Sequence, residues 1–167
     1  PVDGTAFKLF FSPEATLEGN ETGFAGGDSI DLTYNPDGLS ADVLERFPHL
    51  EGYAAFTISD DDLAIVPGIL KSQTGIAAIG EDGTALAGTG LQIPGVLDDL
   101  YTYDGALGVT YDGDVPTLAV WAPTAQRVQL ELFDDADPAT ESERIPMTLD
   151  RATGVWSVTG EPDWTGK

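Results

Sequence analysis

The chain has 167 residues, and its 29 Asp and Glu against 7 Lys and Arg give a formal net charge of −22. Seven cationic side chains cannot line a groove for nucleic-acid phosphates or hold the chain on an anionic membrane surface, so we expect neither partner. The absence of cysteine excludes disulfides and thiolate chemistry. Apolar residues make up 41%, which is enough for a packed core.

Short strands separated by glycine and proline are predicted along the first part of the chain. Ile30, Leu32 and Tyr34 alternate with polar residues and therefore share one face, as in a half-buried strand. The sequence EDG at 81–83 predicts a hairpin turn, because glycine readily adopts a positive φ. The strands are expected at residues 6–12, 29–34, 52–59, 75–79 and 84–91.

Two short helices are predicted to interrupt these strands. Ser40 is a candidate N-cap for SADVLERF, which stops before Pro48. The aspartates at 60–62 begin the second helix, where acidic side chains suit the positive end of the helix dipole, and Pro67 keeps that helix short or bent. Residues 92–104 contain a Pro-Gly turn and an apolar stretch, which indicates a connector that packs on another element.

The last third of the chain differs in the type of predicted element, since it has predicted strands and no predicted helix. Its five strands are expected at residues 107–111, 117–121, 128–133, 144–149 and 155–158. We therefore predict two tandem β-sandwich (Ig-like) domains, at 1–104 and 105–167, in a mainly β protein with one or two short helices in the first domain. An Ig-like sandwich needs about seven strands, so the second domain is expected to lack its C-terminal strand or strands.

The residue patterns typical of enzymes are weak. No G-x-S-x-G surrounds a serine, and the only histidine, His49, follows a proline at a helix end, where a surface or capping role is expected. The adjacent acidic residues at 60–62, 98–99 and 134–135 are typical of solvated turns rather than of a glycosidase carboxylate pair. Calcium is an alternative at 112–114 and 134–137, but neither segment has EF-hand spacing, so no metal or other cofactor is assigned.

The three tryptophans are the candidate carbohydrate-binding residues. An aromatic ring can stack on the C–H face of a sugar, but the same ring can fill a core. Trp121 and Trp156 lie in the middle of predicted strands, which favours the core. Trp164 lies near a predicted loop, beside Gly160 and Gly166, and is the candidate we assign to carbohydrate binding.

Several longer motifs resemble one enzyme family. QIPGVLDDLYTYDGALGVTY, TLAVWAPTAQRVQLELFDD and MTLDRATGVWSVTGEPDWTGK are similar to the N-terminal region of pullulanase-type debranching enzymes and plant limit dextrinases. The segments FKLFFSPEA, LERFPHLEGYAAFTI and ILKSQ match in the same order, so the resemblance spans nearly the whole chain. VWAPTAQRVQLELF with GVWSVTG resembles a family-48 carbohydrate-binding module, which the chain is expected to contain in truncated form.

The resemblance implies a non-catalytic accessory region of a family 13 glycoside hydrolase. Its parent would hydrolyse α-1,6-glucosidic linkages in pullulan, amylopectin and limit dextrins on a TIM barrel, and no catalytic residue carries over to this chain. The implied partners are α-glucan and the parent's own catalytic barrel. The alternatives are a free-standing α-glucan-binding module and an acidic surface adhesion module with no enzymatic parent.

The first residues of the chain bear on its cellular location. The chain begins at Pro1 with neither Met nor a cationic and apolar leader, so we expect an excised fragment or a mature form. No targeting segment is visible. A secreted or extracellular location is favoured over a cytoplasmic one.

Overall fold

The computed structural model describes residues 4–137 and 139–167, and the alternating apolar segments of the sequence form antiparallel sheets in it. The chain divides into two units, Pro1–Gln92 and Ile93–Lys167. Strands dominate both units and the helices are short, so the predicted mainly β class is confirmed. The domain boundary near Asp104 stays a prediction.

The first unit contains the strands β1 (Ala6–Ser12), β2 (Glu18–Asn20), β3 (Gly23–Ala25), β4 (Asp28–Asn35), β5 (Ala55–Ile58), β6 (Gln73–Ile79) and β7 (Ala85–Gly90). Five of these strands form one sheet with the order β5-β4-β1-β6-β7. The strands β2 and β3 form a separate hairpin. The central strand β1 pairs with both β4 and β6, so its side chains have neighbours on each side.

Short helices connect these strands. The helix α1 (Ala41–Arg46) begins after Ser40, whose Oγ accepts a hydrogen bond from the Val43 N–H at 3.3 Å, as the sequence predicts. The second predicted helix is a 3-10 helix, Asp60–Ile65, followed by one turn of α-helix, α2 (Val66–Ile69).

Both faces of the first sheet carry a hydrophobic cluster. On one face Leu9, Ile30 and Ile69 are almost completely buried, so α2 supplies part of this core. On the other face Phe10 packs with Phe24 from the β2–β3 hairpin, at a ring-centroid distance of 5.5 Å. The hairpin therefore covers this part of the sheet.

The second unit begins with a helix and contains two sheets. Its elements are α3 (Pro94–Leu100), β8 (Gly108–Asp112), β9 (Val115–Trp121), β10 (Gln129–Leu132), β11 (Glu143–Pro146), β12 (Thr148–Asp150), β13 (Val155–Thr159) and a 3-10 helix at Pro162–Trp164. One sheet has the order β12-β13-β9-β8, and the other contains β10 and β11. Within residues 4–137 and 139–167, no helix has the length and apolar character needed to cross a bilayer.

The segment predicted as one strand at 144–149 is two strands that belong to different sheets. The chain leaves β11 at Pro146 and enters β12 at Thr148. Between them, the Met147 N–H donates a hydrogen bond to the Val128 carbonyl oxygen at 3.0 Å. This residue therefore marks the point where the chain passes from one sheet to the other.

A side chain at Gly154 is predicted to lower the stability of the second unit. Its φ is +72°, and a Cβ there would lie 2.6 Å from Cβ of Pro123. Gly113 has a φ of +60° with open space around it, so it serves as the matched control. Gly113→Ala should cost about 1–2 kcal/mol from backbone strain alone. Gly154→Ala should cost about 1–2 kcal/mol more because of the steric overlap.

Urea unfolding of the two alanine variants measures this difference. Equal losses of unfolding free energy would show that Pro123 moves aside without a penalty, and would contradict the prediction.

Candidate carbohydrate-binding surface

Two of the three tryptophans are held inside the second unit. Trp156 on β13 is 8% exposed, and its indole N–H donates a hydrogen bond to the Ala122 carbonyl oxygen at 3.0 Å. Trp121 on β9 is half-buried and donates to the Tyr101 carbonyl oxygen at 3.1 Å. Both indole N–H groups bond to backbone carbonyl oxygens of the same unit, which fits a structural role for the two side chains.

Trp164 ends the short 3-10 helix after β13 and is half-buried. A Cβ at Gly160 would overlap its indole ring, so the ring lies directly on the Gly160 backbone. Backbone hydrogen bonds hold the segment on both sides of Trp164. The Trp164 backbone N–H donates to the Glu161 carbonyl oxygen at 3.0 Å, and the Lys167 backbone N–H donates to the Trp164 carbonyl oxygen at 3.1 Å. One part of the indole is therefore covered by glycine, and the side chain is held in a defined orientation.

An open cleft lies beside the hairpin of β10 and β11 and has a volume of about 620 Å³. Its lining combines one aromatic ring, a carboxylate, a guanidinium group and hydroxyls: Glu131, Phe133, Ala139, Thr140, Glu141, Ser142 and Arg144. The Phe133 side chain is 43% exposed. A flat ring next to hydrogen-bonding side chains is a combination that suits a neutral sugar, since it offers both a stacking face and partners for hydroxyl groups.

A hydrogen-bonded group in the cleft lining joins Glu131 on β10 to Arg144 on β11 and to Ser142, which directly precedes β11. The Ser142 hydroxyl and the Arg144 Nε–H both donate to the Glu131 carboxylate, the latter at 3.3 Å. These bonds lower the pKa of Glu131, with the Ser142 hydrogen bond as the largest cause and the Arg144 hydrogen bond second. Glu131 therefore stays ionised at neutral pH, where it can accept hydrogen bonds from hydroxyl groups and cannot act as a general acid.

Removing the Ser142 hydroxyl should raise the pKa of Glu131 towards its ordinary value. A depressed carboxyl pKa contributes stability that is present above the ordinary pKa and lost as the pH falls through the folded-state pKa, so Ser142→Ala removes part of that contribution. Carbon-detected NMR titration of the Glu131 side chain measures the shift, with Ser72→Ala, on the first unit, as the control. An unchanged Glu131 midpoint in Ser142→Ala would assign the low pKa to Arg144 instead.

The acidic turn at 134–137 uses its carboxylates to shape the chain. Asp135 accepts hydrogen bonds from the Asp137 N–H and the Thr140 hydroxyl, each at 2.8 Å. Asp137 in turn accepts from the Ala139 N–H at 2.9 Å. In the part of the chain that the structure describes, no cluster of three or more His, Cys, Asp or Glu side chains is suitable for a metal ion.

The remaining candidates from the sequence lie in both units. The aspartates at 98–99 lie in α3 and residues 112–114 lie at the end of β8 and in the turn after it, all in the second unit, whereas the others belong to the first. His49 is exposed in a 3-10 helix, Pro48–Leu50, with its ring 6.3 Å from that of Phe47. The aspartates at 60–62 form the first turn of an exposed 3-10 helix. His49 and the aspartates at 60–62 belong to the first unit, and Trp164 belongs to the second. The sequence does not predict the cleft lined by Phe133, although it predicts the strands at 128–133 and 144–149 that flank the acidic loop.

Two family models match successive parts of the chain. Residues 1–99 match the Pullulanase N2 domain, and residues 106–167 match carbohydrate-binding module 48, the isoamylase N-terminal domain.

Curated relatives match nearly the whole chain. It is 37% identical to the chloroplastic pullulanase 1 of Arabidopsis thaliana over 159 residues, which are 95% of this chain and 16% of that protein. It is 36% identical to a pullulanase of Klebsiella pneumoniae, over 98% of this chain and 15% of that protein. The chain thus spans about one sixth of the length of these relatives.

Solved structures agree with the sequence comparisons. The fold is similar to that of the Klebsiella pneumoniae pullulanase complexed with maltotriose, with a TM-score of 0.83 and 31% identity over 97% of this chain and 15% of that one. It is also similar to PulA from Klebsiella oxytoca, with a TM-score of 0.82 and 32% identity over 97% of this chain and 15% of that one. Both similarities include the two units of this chain.

Proposed function

The chain belongs to the Pullulanase N2 domain family, and we propose that it is the non-catalytic N-terminal accessory region of a pullulanase-type glycoside hydrolase. The parent enzyme would hydrolyse α-1,6-glucosidic linkages in pullulan, amylopectin and limit dextrins. The accessory region would brace the catalytic barrel and help to hold α-glucan near it.

The succession of domains is the observation that carries this proposal. The N2 model and the carbohydrate-binding module model match one after the other, and the pullulanases match across both. An acidic adhesion module without an enzymatic parent would not be expected to share this order with enzymes from a plant and from bacteria. The free-standing α-glucan binder remains as the second candidate, because a carbohydrate-binding module can bind sugar without a barrel.

For α-glucan contact we propose Trp164, as the sequence indicates, and the cleft that contains Phe133. The support for Trp164 is its fixed orientation on Gly160, which reduces the entropy lost when a sugar stacks on the ring. The support for the cleft is its exposed ring beside the ionised Glu131 and the Arg144 guanidinium. The large negative charge does not oppose a neutral glucan.

Affinity electrophoresis of the purified chain in gels that contain pullulan or amylopectin tests the glucan contact. We expect retardation that is reduced in Trp164→Ala and in Phe133→Ala and retained in Tyr53→Ala, which removes a 69% exposed ring from the first unit. Unchanged mobility in all gels would remove glucan binding from the proposal. Thermal unfolding of each variant confirms that it is folded.

A reducing-sugar assay on the same material tests the accessory role. The chain alone should release no reducing sugar from pullulan, because the residues that the structure describes offer no buried carboxylic acid to protonate a glycosidic oxygen. Release of reducing sugar, at a rate proportional to chain concentration, would overturn the non-catalytic assignment.

A further inference from the structure

The exposed ring of Tyr111 lies in one row of the sheet with the glycine that carries the indole of Trp164. Tyr111 on β8 is 58% exposed and lies opposite Pro116 on β9. Gly160 directly follows β13 and extends its pairing with β9, because the Gly160 backbone N–H donates to the Pro116 carbonyl oxygen at 2.8 Å. Tyr111, Pro116 and Gly160 therefore form a row that crosses the sheet.

The indole of Trp164 occupies the side-chain position of this row at Gly160. Residues that are directly opposite in an antiparallel pair place their side chains on the same face of the sheet. A Cβ at Gly160 would therefore lie on the same face as the side chains of Tyr111 and Pro116. That Cβ would overlap the Cδ2, Cε3 and Cζ3 atoms of Trp164, so the six-membered part of the indole lies on this face. Both aromatic residues are thus on one side of the sheet.

Pro116 lies between the two aromatic positions and is buried. Neighbouring strands are about 4.8 Å apart, so the backbone positions of Tyr111 and Gly160, which are two strands apart, are separated by about 10 Å. A single glucose ring does not reach across that distance, whereas a chain of several linked glucose residues does.

Polar groups accompany both rings. Within residues 4–137 and 139–167, the indole N–H of Trp164 donates no hydrogen bond, whereas those of Trp121 and Trp156 are bonded to carbonyl oxygens. The Tyr111 hydroxyl can donate and accept, and the exposed Asp163 next to Trp164 supplies a carboxylate acceptor. An aromatic face with hydrogen-bonding groups beside it suits a sugar, which has an apolar C–H face and a rim of hydroxyl groups.

The charge of the chain favours a neutral ligand at this row. A net charge of −22 repels a phosphorylated sugar or a nucleotide, and it also opposes the approach of a second copy of the chain. An α-glucan is neutral and presents an apolar face on each glucose residue, so one chain can contact both aromatic positions.

We propose that Tyr111 is a second stacking residue of the α-glucan contact at Trp164, and that the two rings hold separate glucose residues of one linear glucan chain. This inference deepens the proposed function and rests on its assignment of Trp164. It also gives the site a length preference. Glucose is too short to contact both rings, whereas maltotetraose is long enough.

NMR titration of the 167-residue chain with glucose and with maltotetraose tests the proposal. Tyr111→Ala removes the ring, and Tyr111→Phe keeps the ring without its hydroxyl. Val109→Ala is the matched control, because Val109 is 52% exposed and lies on the same strand and the same face but has no ring. Dissociation constants are read from the shifts of the Trp164 indole N–H and of the backbone amides at 111 and 160.

Maltotetraose should shift the Trp164 and Tyr111 signals with a common dissociation constant. Tyr111→Ala should raise that constant by about fivefold or more, since it removes one of two stacking contacts. Tyr111→Phe and Val109→Ala should stay within about twofold of the unchanged chain. The shift that glucose causes at the Trp164 indole should be the same with and without the Tyr111 ring.

The contrary outcomes separate this inference from the proposed function. If Trp164→Ala weakens maltotetraose binding and Tyr111→Ala does not, the inference is overturned and the glucan contact at Trp164 stands. Different dissociation constants at the two rings would also overturn it, since they would show two separate sites. A dimer in sedimentation that Tyr111→Ala dissociates would assign the ring to self-association instead. No shift at Trp164 or in the Phe133 cleft would contradict the proposed glucan contact itself.

Discussion

Replacing Leu9 with alanine should lower the free energy of unfolding of the first unit by about 2–5 kcal/mol. Leu9 is 3% exposed, lies on the central strand β1 and packs with Ile30 from β4 and Ile69 from α2. Truncation to alanine removes three side-chain carbon atoms and leaves a cavity between these two elements. Because three parts of the chain meet at this side chain, little relaxation can close the space.

A matched control is available on the same sheet. Leu86 on β7 is 62% exposed, so Leu86→Ala makes the same chemical change without creating a cavity, and its effect should be within about 0.5 kcal/mol. Urea unfolding, followed by circular dichroism and by hydrogen exchange of the β1 amides, measures both variants. If the two leucines lose the same free energy, the cluster around Leu9 is not the core of this unit.

The second large effect is expected at Trp156, where alanine should cost about 3–5 kcal/mol in the second unit. The substitution removes the largest buried side chain of β13 and leaves a cavity in its place. It also leaves the Ala122 carbonyl oxygen without its indole donor. Trp156→Phe separates the two contributions, because phenylalanine retains much of the volume and loses the hydrogen bond. We expect Trp156→Phe to recover more than half of the loss.

Phe133→Ala, a truncation of a 43% exposed ring in the same unit, is the control for Trp156. Hydrogen exchange of the β9 and β13 amides reports on the second unit directly, without relying on tryptophan fluorescence. Protection of these amides that is as high in Trp156→Ala as in the unchanged chain would contradict the assignment of Trp156 to the core.

Local sequence determines many of these elements. The stretch AFKLFFS predicts the strand at residues 6–12, and β1 has the same bounds, because its three phenylalanines favour an extended chain. Likewise Ser40 caps α1 through its own side chain. In both cases the signal lies within a few residues of the structure that it specifies.

Other elements depend on distant contacts and were missed for that reason. The β2–β3 hairpin is short and polar, and its position depends on Phe24, whose ring lies where a Cβ at Gly75 would be, at 2.8 Å. The segment at 92–104, for which the sequence predicts a connector with a Pro-Gly turn, contains the helix α3, because proline is tolerated in the first turn of a helix. Similarly, the cleft beside Phe133 exists only once β10 and β11 pair, so no single segment reveals it.

The passage of the chain from β11 to β12 at Met147 has a mechanical consequence. The four residues of β11 belong to one sheet and the three residues of β12 belong to the other, with a single residue between them. Neither strand can therefore leave its sheet without pulling on the other sheet. Slow opening motions should therefore spread across both sheets as one cooperative event, and the amide protons of residues 144, 145 and 147–149 should report a common opening free energy.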